Sequence, residues 1–98
     1  MNKARRKALR SAGSQLTIIM SDLSNIQDHA RQLHEILEGL LSDEQEAYDN
    51  MPPSLQEGEK GQASQEAIDN IQSALDQIQE LIDFDLTDSH TNIEEAQR

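Results

Sequence analysis

Two interleaved series of apolar residues run from Leu9 to Leu40. Every seventh residue is apolar in the first (Leu9, Leu16, Leu23, Ala30, Leu37) and again in the second, three residues on (Ala12, Ile19, Ile26, Leu33, Leu40). Together they fill the a and d positions of successive heptads with no polar interruption. A 3,4 spacing held that long belongs to a helix whose apolar seam faces another helix. Ile18, Met20, Ile36 and Leu41 widen the stripe. A face that broad suits a three- or four-helix bundle better than a bare two-stranded coiled coil.

The flanking residues set the limits of this helix. Residues 3–12 are strong helix formers with no breaker. Ala47 keeps the d register past Ser42-Asp43-Glu44-Gln45, so one helix is predicted over residues 3–50. It stops before Pro52 and Pro53, which cannot continue it. At ~1.5 Å per residue it is roughly 65–70 Å long. Residues 51–62 read as the connector. In it Met51 and Leu55 tuck over the bundle end, Ser54 caps a single turn, and Gly58 and Gly61 keep the segment loose. A second helix is predicted over 63–84, with Leu75, Ile68, Ile71, Ile78 and Ile82 on its stripe and the small Ala67 and Ala74 permitting close approach. Leu86 and Ile93 are isolated among polar residues, so 85–98 reads as a frayed or disordered acidic tail.

The fold class is therefore all-α: an antiparallel hairpin of one long and one short helix over residues 1–84, coiled-coil-like, completing a helical bundle by dimerisation. The hairpin core is assigned to Leu33, Leu37 and Leu40 against the second-helix residues Ile68, Ile71, Leu75, Ile78 and Ile82. Folded back, the short helix reaches from Gln27 to Tyr48. That leaves Leu9, Ala12, Leu16, Ile19, Met20, Leu23 and Ile26 as the candidate oligomer interface, since an uncovered apolar stripe of this size marks a contact surface. A homodimer is the simplest occupant, parallel or antiparallel, and a different protein is the competitor.

Charge divides the chain. The whole carries −11 and the first ten residues +5, from Lys3, Arg5, Arg6, Lys7 and Arg10, so the other eighty-eight carry −16. Cations at a helix N-terminus oppose the macrodipole by roughly a few tenths of a kcal/mol each. Two readings stand: the five contact an acidic partner, or they form a solvated start. An acidic bulk repels nucleic acid and anionic membrane. A basic stretch running into heptads has the outline of a bZIP protein, but it is short and lacks the base-reading asparagine. The reverse reading is mimicry, with acidic helix rows filling a nucleic-acid-binding groove.

No motif here supports catalysis. Glycine-rich phosphate loops and nucleophile elbows are missing from the sequence, and it has no cysteine. HEILE at 34–38 lacks the second histidine of a zinc-protease helix, and His34 with Glu38 reads as a solvated i,i+4 pair. Asp83, Asp85, Thr87 and Glu94 fall at the first, third, fifth and twelfth places of an EF-hand loop. Asp88 replaces its turn glycine, however, and too little chain follows for an exit helix. The expectation is no enzyme, no metal and no cofactor. Nothing in the sequence suggests a signal peptide or membrane span, and the missing cysteines favour a cytoplasmic setting.

The segments EQEAYDNMP at 44–52, SLQ at 54–56 and EAIDNI at 66–71 resemble small acidic coiled-coil proteins of unknown function from phages and bacteria, over residues 44–83. The resemblance implies a prokaryotic or viral origin, with the host cytoplasm as the setting if the gene is a phage's, and a non-enzymatic role. It carries no functional residues. The expected function is a protein-binding protein, in a phage context an inhibitor of a host defence or nucleic-acid-handling protein, with a partner of basic surface. The alternatives are a structural coiled coil and a nucleic-acid-binding regulator that uses the basic N-terminus.

Overall fold

The first helix starts at a cap. The Asn2 side-chain oxygen accepts a hydrogen bond from the Arg5 N–H at 2.8 Å, satisfying one of the donors a helix start leaves open. The structure, a computed structural model, describes residues 2–98. From this cap α1 runs Lys3–Asp49 as one helix of 47 residues, unbroken through Ser42–Gln45. Pro52 and Pro53 end it. A single turn, α2 (Pro53–Gln56), reverses the chain into α3 (Glu59–Asp83), and α4 (Thr87–Ala96) follows after a short break. Among the described residues every regular element is helical.

The reversal is tight. Gln56 Nε2 donates to the Tyr48 carbonyl at 3.0 Å, tying α2 to the last turn of α1. Gly61 is buried, and a β-carbon there would overlap the Gln56 backbone carbonyl. This glycine therefore allows close approach of α3 to the turn, where looseness had been expected. Leu55, expected to tuck over the bundle end, is 44 % exposed. One turn on, the buried Ser64 donates to Glu44 Oε1 at 2.7 Å, so a small polar residue joins α3 to α1. The second helix starts at Glu59, four residues earlier than predicted.

At the far end Gln27 fixes the register. Its Nε2 donates to the carbonyls of Leu81 (3.1 Å) and Phe84 (2.8 Å) at the end of α3, where the Leu81 carbonyl also accepts from the Phe84 N–H at 3.3 Å. α3 thus covers Gln27 to Tyr48, the span predicted. The chain does not fray beyond it. Asp85 Oδ1 accepts from the Thr87 N–H at 2.9 Å and from the Thr87 hydroxyl at 2.5 Å, starting α4. Leu86, His90, Ile93 and Gln97 are its half-covered positions. Only two of these four are apolar, which is why the tail read as unpatterned. α4 continues the antiparallel path of α3 along α1, and Gly13 receives it: a β-carbon on Gly13 would sit 3.3 Å from Gln97 Nε2 and 3.5 Å from Ile93 Cγ2. Residues 85–98 are thus a docked helix, not a disordered tail.

The result is a rod of 74 × 19 × 14 Å with a radius of gyration of 22.4 Å, against about 13 Å for a compact domain of this length. Its core is thin. Ala30, Ile68 and Leu75 are the buried apolar residues.

Candidate interaction surfaces

The residues of α1 that are covered within the chain form two rows seven apart: Leu9, Leu16, Leu23, Ala30, Leu37 and Glu44, with Gly13, Met20, Gln27, His34, Leu41 and Tyr48. Together they make a 3,4 repeat that faces α3 and α4. It shares only its first row with the seam read from the sequence. The second row of that seam faces away from the intramolecular contact: Ile19, Ile26, Leu33 and Leu40 are 52, 51, 46 and 50 % exposed.

This redistributes the candidate residues. Leu33 and Leu40, assigned to the hairpin core, lie outside it, because their row turns about 80° away from the covered face at 3.6 residues per turn. Leu37, Ile71, Ile78 and Ile82 are half-buried and Ile68 and Leu75 buried, as a core row requires. Of the residues assigned to an interface, Leu9, Leu16, Met20 and Leu23 are half-buried on the face that α3 and α4 cover, while Ala12, Ile19 and Ile26 stay exposed. The uncovered surface is therefore a row along the whole of α1, with Ile36 beside it at 60 % exposure and Ile18 farther round the helix at 54 %, and not the N-terminal half of one stripe.

The hairpin has two unlike sides. In an antiparallel pair of right-handed helices, the exposed apolar row of α1 flanks the same groove as Ala67, Ala74 and Leu81 of α3, by helical periodicity. The groove on the opposite side is edged by Thr17, Ser24, Arg31 and Gln45 of α1 and by Gln65, Gln72 and Gln79 of α3. The outward ridge of α3, away from α1, carries Glu59, Glu66, Asp69, Asp76, Glu80 and Asp83. None of these is in an ion pair among the described residues.

Lys3, Arg5, Arg6, Lys7 and Arg10 are all exposed and likewise take no part in an ion pair among the described residues. Arg10 edges an open groove of about 210 Å³ between α1 and α4, with Ser14, Thr17, His90 and Glu94, below the roughly 300–1,000 Å³ of small-molecule sites. The Ser14 and Thr17 hydroxyls donate to the carbonyls of Arg10 and Gly13 on their own helix, so neither is poised as a nucleophile. His90 lies 3.4 Å from Glu94, and His34 Nδ1 lies 2.6 Å from Glu38 Oε1; both are i,i+4 pairs on one helix.

The segment compared with an EF-hand loop is not a loop. Thr87, Asp88, His90 and Glu94 stand in α4, and Asp85 is engaged in starting that helix. The Thr87 hydroxyl, then the Thr87 N–H, hold the Asp85 carboxyl below the usual aspartate range. Among the described residues no group of three or more His, Cys, Asp or Glu is placed to hold a metal ion, and no helix is long and apolar enough to cross a membrane. No protein-family model, curated protein or solved structure matches the chain.

Proposed function

We propose that this chain is a non-catalytic protein-binding protein: a helical rod that associates through its apolar side and presents an acidic surface to a basic partner. The observation that carries this is the row Ile19, Ile26, Leu33 and Leu40, about half exposed and in line along one side of a rod whose other side and outward α3 ridge are mostly polar or acidic. Burying a Leu or Ile side chain fully is worth about 1.5–3 kcal/mol. Four half-exposed residues in line thus hold back a substantial part of the apolar burial open to a chain with three buried apolar residues. Aligned exposure of that kind marks an interaction surface.

The charge pattern supports a basic partner. Six carboxylates line the outward ridge of α3, none in an ion pair among the described residues, and this field draws in a positive surface and disfavours a negative one. A partner that uses a basic groove for nucleic acid would have it blocked by such a ridge. An inhibitor of a nucleic-acid-handling protein, in a phage or bacterial setting, is the narrower form of this reading.

Affinity capture tests it, using the intact chain and a variant with Glu66, Asp69, Asp76 and Glu80 changed to the matching amides. The expected result is a basic protein retained by the intact chain, lost from the variant, and released near 1 M salt, where the Debye length falls to about 3 Å. Failure of every captured protein to respond to either the amides or the salt would remove the acidic ridge from the function.

A further inference from the structure

We propose that the apolar side of the rod is filled by a second copy of the chain, with the two α1 helices antiparallel about a twofold axis between His29 and Ala30. This rests on the reading above that the apolar side is an interface; what it adds is the occupant and the register.

The exposed row is itself symmetric. Written out with its ends, it runs Ala12, Ile19, Ile26, Leu33, Leu40, Ala47. Turning a copy end for end about the row's midpoint sets Ala12 against Ala47, Ile19 against Leu40, and Ile26 against Leu33. Small meets small at both ends and branched meets branched between them, so one surface complements itself, as an isologous twofold interface requires.

The charge of α1 points to the same arrangement. Acidic residues are absent from its first turn and basic residues from its last. Lys3, Arg5, Arg6, Lys7 and Arg10 crowd the N-terminal end, and Asp43, Glu44, Glu46 and Asp49 the C-terminal end. Both sets oppose the helix macrodipole. In a lone helix that arrangement is unfavourable at both ends. In the antiparallel pair each cationic end lies toward the anionic end of the other copy. The dipoles then align antiparallel, and the cationic cluster, which makes no ion pair among the described residues, is drawn toward the opposite charge of the other copy.

The chain is rich in accessible surface. The chain exposes 7334 Å², whereas a compact protein of 11.0 kDa exposes about 5,600 Å². A stable interface takes about 800 Å² from each partner, and the apolar side runs most of a 74 Å rod. Pairing also fits the lengths of the elements. α3 lies on the C-terminal half of α1 and α4 on the N-terminal half. With the copy turned end for end, the first half of each α3 comes level with the other chain's α4 and its second half with the other chain's α3, so four helices lie side by side along most of the rod.

The test combines molar mass with cross-linking, on the full chain. The chain has no cysteine, so Ile26→Cys and Leu33→Cys each introduce one thiol. We expect a mass of twice 11.0 kDa in sedimentation for the intact chain. On oxidation of an equimolar mixture we expect the mixed disulfide between Ile26→Cys and Leu33→Cys to exceed either symmetric one. Leu33→Glu is expected to sediment as a monomer. If it unfolds instead, the cross-linking still decides the register. A monomeric intact chain overturns the proposal, as does a dominant symmetric disulfide at position 26, which signifies parallel helices. A monomer that still captures a basic partner through the ridge refutes self-pairing and leaves the proposed function standing. A dimer that captures none does the reverse.

Discussion

Gly61→Ala is the sharpest test of how the hairpin closes, because helix propensity and packing pull its outcome in opposite directions. Within a helix interior, Ala is favoured over Gly by about 0.8–1.0 kcal/mol. Gly39 shows that gain alone: it is exposed in α1, and a β-carbon there meets nothing within 4 Å. Gly61 is buried, and its β-carbon would overlap the backbone carbonyl of Gln56, a residue whose side chain is tied to Tyr48. Backbone cannot rotate away as a flexible side chain does, so the overpacking cost falls at the upper part of about 1–3 kcal/mol. Subtracting the propensity gain leaves a net loss of about 1–2 kcal/mol. Thermal unfolding followed by far-ultraviolet circular dichroism, at one fixed protomer concentration, reads both variants. A change of 1 kcal/mol moves the midpoint by about 4–8 °C in a domain of this size. Gly39→Ala is expected to raise the midpoint by about that amount and Gly61→Ala to lower it by a similar or larger one. An equal rise in both would refute the close approach of α3 to α2.

Other expected outcomes follow from single contacts. Gln27→Ala removes both hydrogen bonds to the end of α3 and is expected to cost about 1–2 kcal/mol, with faster amide exchange around Phe84; unchanged exchange there would count against the Gln27 cap. Leu75→Ala, at a site 8 % exposed, is expected to cost about 2–4 kcal/mol, read as a lower urea midpoint at an unchanged slope. Asp85→Ala is expected to speed amide exchange in Thr87–Ala96, while Asp85→Asn, which keeps an acceptor, does so less. The Asp85 carboxyl is held low in the folded chain, so its contribution is fully present above the ordinary value of about 3.9. It is lost as pH falls through the lower folded value, and the Thr87 amide resonance should report that titration.

Much of the secondary structure was legible. The unbroken 3,4 spacing and the proline pair delimit α1, and Ile68, Leu75 and Ile82 mark the core face of α3. The apolar side was half legible: Ile19 and Ile26 were recognised as interface candidates, but Leu33 and Leu40 of the same row were assigned to the core. What hid this is the width of the stripe. α1 carries three adjacent seven-residue rows, headed by Ala12, Leu9 and Gly13, and the third includes Gln27 and His34. Apolar content favours the first two rows, yet the chain covers the second and third. Polar members of a covered row pass for surface until their partners are known; Gln27 is there to cap α3, and Gly13 to admit α4. The Leu86, His90, Ile93, Gln97 row is obscure for the same reason.

Periodicity, prolines and charge order, all properties of the sequence alone, determined that the chain makes a long helix, reverses once and returns. They also determined the cationic start and anionic end of α1, since these need no folding to be read. Which side of α1 the returning chain covers was decided only in the tertiary structure. Apolar content alone would favour covering the flank of Ile19, Ile26, Leu33 and Leu40, and the contacts at the reversal decide for the other flank. There the absent Gly61 side chain, the Gln56–Tyr48 hydrogen bond and the Ser64–Glu44 pair set α3 down on the side that leaves Ile19, Ile26, Leu33 and Leu40 facing outward.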